Sequence, residues 1–214
     1  MKIFLDTADV YAIREFFETG LIDGVTTNPT IIKRSLRNPV DVYQQIKDIG
    51  IPDISMEVMG TTEEMINEGR GLYDTFGDVS TIKVPCTREG LAACKVLSDD
   101  GIRVNVTLIF SMPQAVLAAK SGATYVSPFV GRLDDQQVAG LEVVRGISSL
   151  YHMHGIKTQI LSASIRTVQR AVRSWYNGAQ IVTMPPHVFN QMYDHILTDK
   201  GMEIFEEDSK SISY

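Results

Sequence analysis

Short apolar runs, each closed by a turn and followed by a stretch of helical spacing, recur along the whole chain. The runs predict strands at Lys2–Asp6, Gly24–Asn28, Ile54–Met59, Thr81–Pro85, Arg103–Ile109, Tyr125–Val130, Thr158–Ala163 and Ile181–Met184. Between them, Ala8–Thr19, Thr62–Phe76, Arg88–Asp99 and Met112–Lys120 space their apolar residues as amphipathic helices do. Strands alternating with helices predict a parallel α/β architecture. A closed barrel competes with an open doubly wound sheet. The first strand runs into LDTADV, without the glycine fingerprint of a dinucleotide fold, and no phosphate-loop lysine motif occurs. Eight strands favour the barrel, so the expectation is one (β/α)8 TIM-barrel domain over residues 1–214. From His187 onward, VFNQMYDHIL and MEIFEEDSK keep helical spacing, which predicts a C-terminal helical extension over 187–214.

Polar residues fall on one parity of these strands. Side chains at i and i+2 share a face, so each strand divides into an outward and an inward set. Thr26 and Asn28 oppose Val25; Glu57 lies between Met56 and Val58; Lys83 lies between Ile82 and Val84. Asn105 and Thr107 alternate with valines, Ser127 and Phe129 oppose Val126, and Asp6 follows Leu5. Six successive strands thereby aim polar groups into one lumen near its C-terminal mouth, where barrel enzymes keep their sites. A buried lysine sharing an interior with two carboxylates demands a reason, either a satisfied internal ion network or a catalytic centre. The concerted placement favours catalysis. Burial between apolar strands would supply the free amine that imine chemistry needs from Lys83. Glu57 and Thr107 could hold a proton-relaying water, Asp6 could act as a general base, and Asn28 and Asn105 could bind substrate hydroxyls. Arg132, Ser164 and Arg166 put two cations and a hydroxyl on one rim, a set suited to phosphate.

Composition narrows the partners. The chain has 214 residues, 44% hydrophobic and 21% charged, and a formal charge of −6, values of an ordinary soluble domain. An acidic chain without a basic cluster is a poor nucleic-acid binder, and any phosphate site must be built locally. No apolar run is long enough to span a membrane. Asp6 and Asp9 interrupt what would have to be a signal core, which argues for a cytoplasmic protein. Cys86 and Cys94 suggest two buried or half-buried thiols rather than a disulfide. The four histidines make no ligand spacing with them, so no metal is expected, and no cofactor is expected because an imine on Lys83 would itself be the electron sink.

In order, LDTAD, GVTTNPTII, SMEV, IKVP, VNVTLIFS, SPFVGRLDD and SASIR resemble the motifs of the transaldolase family, over nearly the whole chain from Lys2 to Met184. The length resembles that of its compact branch, which also contains the fructose-6-phosphate aldolases. The resemblance implies a class I aldolase barrel in which Lys83 forms the Schiff base, Asp6 is the acid/base, and Glu57 with Thr107 holds the catalytic water. It implies that Arg132, Ser164 and Arg166 grip phosphate, while Thr26, Asn28, Asn105, Ser127 and Phe129 contact the sugar. The aldolases of the branch carry Gln at the position of Glu57, Tyr at that of Phe129, and no asparagine at that of Asn105. The implied activity is therefore transaldolase, moving a dihydroxyacetone unit between sugar phosphates of the pentose phosphate pathway. The rivals are a fructose-6-phosphate aldolase and a silent sugar-phosphate-binding barrel. Ring assemblies in the compact branch imply a homo-oligomer, pentamer or decamer, with the C-terminal segment reaching a neighbour.

Overall fold

The computed structural model describes residues 1–212. Eight parallel strands close on themselves in sequence order: β1 (Lys2–Asp6), β2 (Gly24–Thr26), β3 (Ile54–Glu57), β4 (Ser80–Pro85), β5 (Val104–Ile109), β6 (Tyr125–Pro128), β7 (Gln159–Ser162) and β8 (Ile181–Met184). The pairing of β8 with β1, Lys2 opposite Ile181 through Leu5 opposite Met184, completes the cylinder. The chain is a TIM barrel, as the strand count predicted. Helices α1 (Val10–Phe17), α2 (Pro29–Ser35), α3 (Pro39–Ile49), α4 (Thr62–Phe76), α5 (Arg88–Asp99), α6 (Met112–Lys120), α7 (Val130–Asp135), α8 (Gly140–Met153), α9 (Val168–Tyr176), α10 (Pro186–Asn190) and α11 (Ile196–Ser211) follow or connect the strands.

The two-residue periodicity produces two separate apolar cores. Leu5, Val25, Met56, Ile82, Val84, Val104, Val106, Val126 and Val182 join the helices in one outer cluster. Phe4, Tyr125, Leu161, Ala163 and Ile181, of the opposite parity, form a second cluster within the lumen, with Phe129 packed against it. Each fully buried branched or aromatic side chain contributes about 1.5–3 kcal/mol, so the many outer positions dominate stability. The lumen is tight at its base. A Cβ on Gly24 would lie 2.6 Å from the Phe4 ring, so glycine is required there for the ring to cross the barrel.

Helix starts follow local chemistry. Thr61 and Glu64 form a reciprocal capping box on α4, and the hydroxyls of Thr87, Ser111 and Thr167 cap α5, α6 and α9. Four predicted strands end early, β2 at Thr26, β3 at Glu57, β6 at Pro128 and β7 at Ser162. Asn28 accepts the Ile31 amide proton as N-cap of α2, with Pro29 at its first position, and Val130 opens α7 instead of prolonging β6. Both cysteines are free, Cys94 buried and Cys86 half-buried, and burial pushes the Cys94 thiol up to about 11.

At the N-terminal end of the lumen Asp53, 4% exposed, accepts from Thr81, from Arg103 and from the Tyr125 hydroxyl at 2.7–2.8 Å. Burial still raises its carboxyl above the usual range, against the pull of the Arg103 guanidinium. Both oxygens of this carboxylate are hydrogen-bonded from within the protein, as a structural ion network requires. The polar groups at the opposite end are arranged differently.

Helix α10 buries Val188 and Phe189, and the Phe16 ring of α1 meets that of Phe189 edge to face at 5.1 Å. Helix α11 has no buried residue, and Ile196, Leu197, Met202, Ile204 and Phe205 on it are each more than half exposed. The predicted C-terminal segment is thus helical up to Ser211, and its last two residues lie outside the described ones. No helix among the described residues is long and apolar enough to cross a membrane.

Candidate active site

Lys83 projects inward from β4 and is 4% exposed. Its neighbours across the sheet are Glu57 on β3 and Asn105 on β5. The Lys83 Nζ lies 2.8 Å from Glu57 Oε2, and both side chains are over nine-tenths buried. The same nitrogen donates to the backbone oxygen of Thr27 at 2.9 Å. Lys83 is therefore not the isolated amine that its apolar flanks suggested. It stands in an ion pair whose partner comes from the adjacent strand.

Asp6, at the end of β1, is only partly exposed. Its Oδ1 accepts from Thr26 Oγ1 at 2.7 Å. Burial raises this carboxyl above 3.8, opposed first by the Lys83 ammonium and then by the Thr26 hydrogen bond. A third polar chain crosses between β6 and β3: Ser127 Oγ donates to Asn105 Oδ1 at 2.7 Å, and Asn105 Nδ2 donates to Ser55 Oγ at 3.3 Å. With its amide held at both ends, Asn105 has a fixed orientation. Thr107 Oγ1 is buried without a hydrogen-bond partner among the described residues. Such an atom is uncommon in a folded interior and marks a place where something else bonds.

Asp6, Thr26, Asn28, Lys83, Ser127, Phe129, Arg132 and Ser164 line one cavity of about 100 Å³, closed by Leu161, Ala163 and Thr183. A wider cleft of about 540 Å³ reaches the same Asp6 from above β1, between Tyr11, Arg34, Arg37 and Pro185. Residues from strands as distant as β2 and β6 thus converge at the C-terminal mouth of the barrel. Glu57 and Asn105 stand behind this surface, touching it through Lys83 and Ser127, and Thr107 lies outside the cavity lining.

The rim is less uniform than its sequence suggested. The Arg132 guanidinium stacks over the Phe129 ring, 4.9 Å from its centroid, and overhangs the cavity. Ser164 sits in the left-handed region at φ 58°, which turns the chain after β7 into the mouth. Arg166 does not line the cavity. Both its terminal nitrogens engage the Asp135 carboxylate, and its side chain is 55% exposed. It still passes close to the mouth: a Cβ on Gly131 would lie 2.3 Å from the Ser164 carbonyl and 2.9 Å from Arg166 Nε. Glycine at 131 lets the two phosphate candidates approach the start of α7.

Comparison with known proteins gives this geometry its context. Residues 3–213 match the family described as Transaldolase/Fructose-6-phosphate aldolase. The chain belongs to this transaldolase/aldolase family. It is similar to a probable transaldolase of Ruegeria sp. (strain TM1040), 49% identical over 212 residues, covering 99% of this chain and 97% of that one. A probable transaldolase of Ruegeria pomeroyi is 50% identical with the same coverage. One of Caulobacter vibrioides is 48% identical over 209 residues, covering 97% and 96%. The transaldolase/aldolase family is one of enzymes, and this member has an inward lysine, two facing carboxylates and a cationic rim in a single barrel mouth.

Several members of the site were not picked out from the sequence. Thr183 donates to or accepts from Thr26 at 2.7 Å and lines the cavity. It is the lone polar residue of β8 and shares the inward parity of Ile181, so the rule applied to the other strands reaches it. Ser55 shares the parity of Glu57 in the same way. The Thr27 carbonyl carries no sequence signal at all, since every residue has one.

Proposed function

We propose that this enzyme is a transaldolase, transferring a dihydroxyacetone unit from a ketose phosphate such as fructose 6-phosphate or sedoheptulose 7-phosphate to an aldose phosphate through an imine on Lys83. The observation that carries the reading is the buried Lys83–Glu57 contact at 2.8 Å, opening on a cavity that Asp6 also faces. A lysine in an ion pair becomes a nucleophile only by giving up a proton, and Glu57 is already in place to take it. The amine then adds to the C2 carbonyl, and the carbinolamine loses its hydroxyl as water. Glu57 supplies the proton for that loss, and the unpartnered Thr107 hydroxyl is suited to hold the departing water beside it.

In the cleavage step Asp6 removes the proton of the C4 hydroxyl, the C3–C4 bond breaks, and its electron pair moves into the iminium. The products are an aldose phosphate and a three-carbon enamine on Lys83. The iminium is the electron sink, so the chain needs no organic cofactor for this chemistry. Addition of the enamine to an acceptor aldose phosphate, with Asp6 returning the proton, gives the new ketose as an iminium on Lys83, and water then adds at C2 and breaks the carbon–nitrogen bond, releasing the ketose and the amine. Asn28, Ser127 and the fixed amide of Asn105 suit the sugar hydroxyls, and Arg132 with Ser164 suits the phosphate. Arg166 joins them by exchanging Asp135 for the substrate, a swap between two anions on an exposed guanidinium.

Phe129 favours transfer over release. Its ring offers an apolar wall beneath Arg132 and no proton with which to quench the enamine. Phe129→Tyr should raise acceptor-independent release of dihydroxyacetone roughly tenfold, equivalent to about 1.4 kcal/mol of barrier; an unaltered partition between transfer and release would remove Phe129 from this role. The experiment for the function itself is a coupled assay with fructose 6-phosphate, run with and without erythrose 4-phosphate. Acceptor-dependent turnover supports the transaldolase, and equal turnover without acceptor makes the enzyme a fructose-6-phosphate aldolase.

The proposal includes a cytoplasmic homo-oligomer. Helix α11 exposes Ile196, Leu197, Met202, Ile204 and Phe205 and buries none of its residues on its own barrel, and a neighbouring copy would cover them. Sedimentation should show a ring-sized particle that dissociates when Met202 and Phe205 are both changed to Glu. A wild-type monomer at micromolar concentration would exclude this assembly.

A further inference from the structure

Thr26 Oγ1 lies between two oxygens, Asp6 Oδ1 and Thr183 Oγ1, each at 2.7 Å. A hydroxyl has one proton to give, so the two bonds cannot both be donated by Thr26. An ionised carboxylate can only accept. The Thr26 proton must then go to Asp6, and the bond to Thr183 must be donated by Thr183. When Asp6 is charged, the chain has a single polarity, from β8 through β2 to β1. Both residues are nearly buried, Thr183 being 1% exposed and Thr26 2%, so within the protein each hydroxyl has the other as its close neighbour. Among the described residues no donor holds Asp6 Oδ2, which leaves that oxygen for a substrate hydroxyl.

We propose that Thr183 is a positioning residue for the reaction: by donating to Thr26 it commits the Thr26 proton to Asp6, holding the carboxylate ionised and turned with Oδ2 towards the substrate. The inference rests on the reading of Asp6 as the proton acceptor in cleavage. Burial works against the charged form of Asp6, and the Thr26 bond is one of the groups that oppose it. A hydroxyl that is itself hydrogen-bonded at its oxygen is a stronger donor, because the bonds polarise one another. Thr183 therefore reaches Asp6 through Thr26 without touching the substrate's reacting atoms. The charged groups acting on Asp6 are Lys83 from β4, Glu57 from β3 and Arg132 from α7, and none of them touches Thr183 by hydrogen bond or ion pair.

The test is Thr183→Val, which keeps the shape and removes the hydroxyl. The acid limb of kcat/KM should move to higher pH by about half a unit, a loss of roughly threefold on that limb, with the alkaline plateau little changed. Thr183→Ser should restore the wild-type limb. The Asp6 carboxyl, followed by ¹³C NMR in the same proteins, should titrate higher in the Val variant by the same amount. That measurement does not depend on which substrate the enzyme uses, so it separates this inference from failure of the transaldolase reading. An Asp6 titration that stays in place or moves down in Thr183→Val overturns the proposal, and so does a Ser variant that behaves like Val. Should the Val variant fail to fold, Thr183→Ala carries the same expectations.

Discussion

Lys83→Met is expected to lower transfer activity by about 10⁵-fold, the scale on which removal of a covalent nucleophile acts. Methionine matches the length and apolar stem of lysine, so the outer packing on either side of β4 is undisturbed. What changes is the lumen. Glu57 loses the partner that stood at 2.8 Å while remaining over nine-tenths buried. An orphaned buried charge costs about 3–5 kcal/mol. The single variant should therefore be inactive and also less stable. Adding Glu57→Gln should recover stability without recovering activity. Parallel recovery of both would mean that the pair serves the fold and that the chemistry lies elsewhere.

Asp6→Asn is expected to separate imine formation from carbon–carbon cleavage. Asparagine still accepts the Thr26 proton through its amide oxygen, but it has no basic oxygen for the C4 hydroxyl. Loss of a general base lowers kcat by about 10²–10⁴-fold. Borohydride reduction of the wild-type enzyme with fructose 6-phosphate should leave a three-carbon group on the lysine, whereas the Asp6→Asn enzyme should retain the intact six-carbon phosphate. Stability moves the other way. Burial raises the folded-state pKa of Asp6 above its unfolded value near 3.8. An acid raised in this way favours the folded state only while protonated: its contribution is whole below the unfolded value and is lost as pH climbs through the folded one. At neutral pH the ionised carboxylate therefore detracts from stability. Asp6→Asn should raise Tm by about 2–4 °C at pH 7, about 1 kcal/mol in a chain of this size, with the gain vanishing towards pH 3. A Tm that falls at neutral pH would assign Asp6 to the fold.

The periodicity of the strands made most of this legible beforehand. Two-residue alternation separated Leu5, Ile82 and Val106 from Asp6, Lys83 and Thr107, and the two cores are divided along that line. The same rule, carried to β8, would have reached Thr183. Strand ends were less legible, because Asn28 caps α2 and Val130 already belongs to α7, each within a run that reads as extended. Pairings that depend on reach were not legible at all. Which carboxylate meets Arg166, and that Lys83 would bond to Glu57 and to a backbone oxygen of β2's neighbour Thr27, follow from side-chain length and barrel curvature, neither of which leaves a mark in one sequence. The base of the lumen shows the same limit: Asp53, Arg103 and Tyr125 lie far apart in sequence and form a closed structural network that parity alone does not distinguish from a site.

The most direct measurement is to reduce the unmodified enzyme with borohydride in the presence of fructose 6-phosphate and to map the modified peptide by mass spectrometry. A three-carbon adduct on Lys83, and on no other lysine, is the outcome this account requires. No adduct, or one carried by a different lysine, would contradict it.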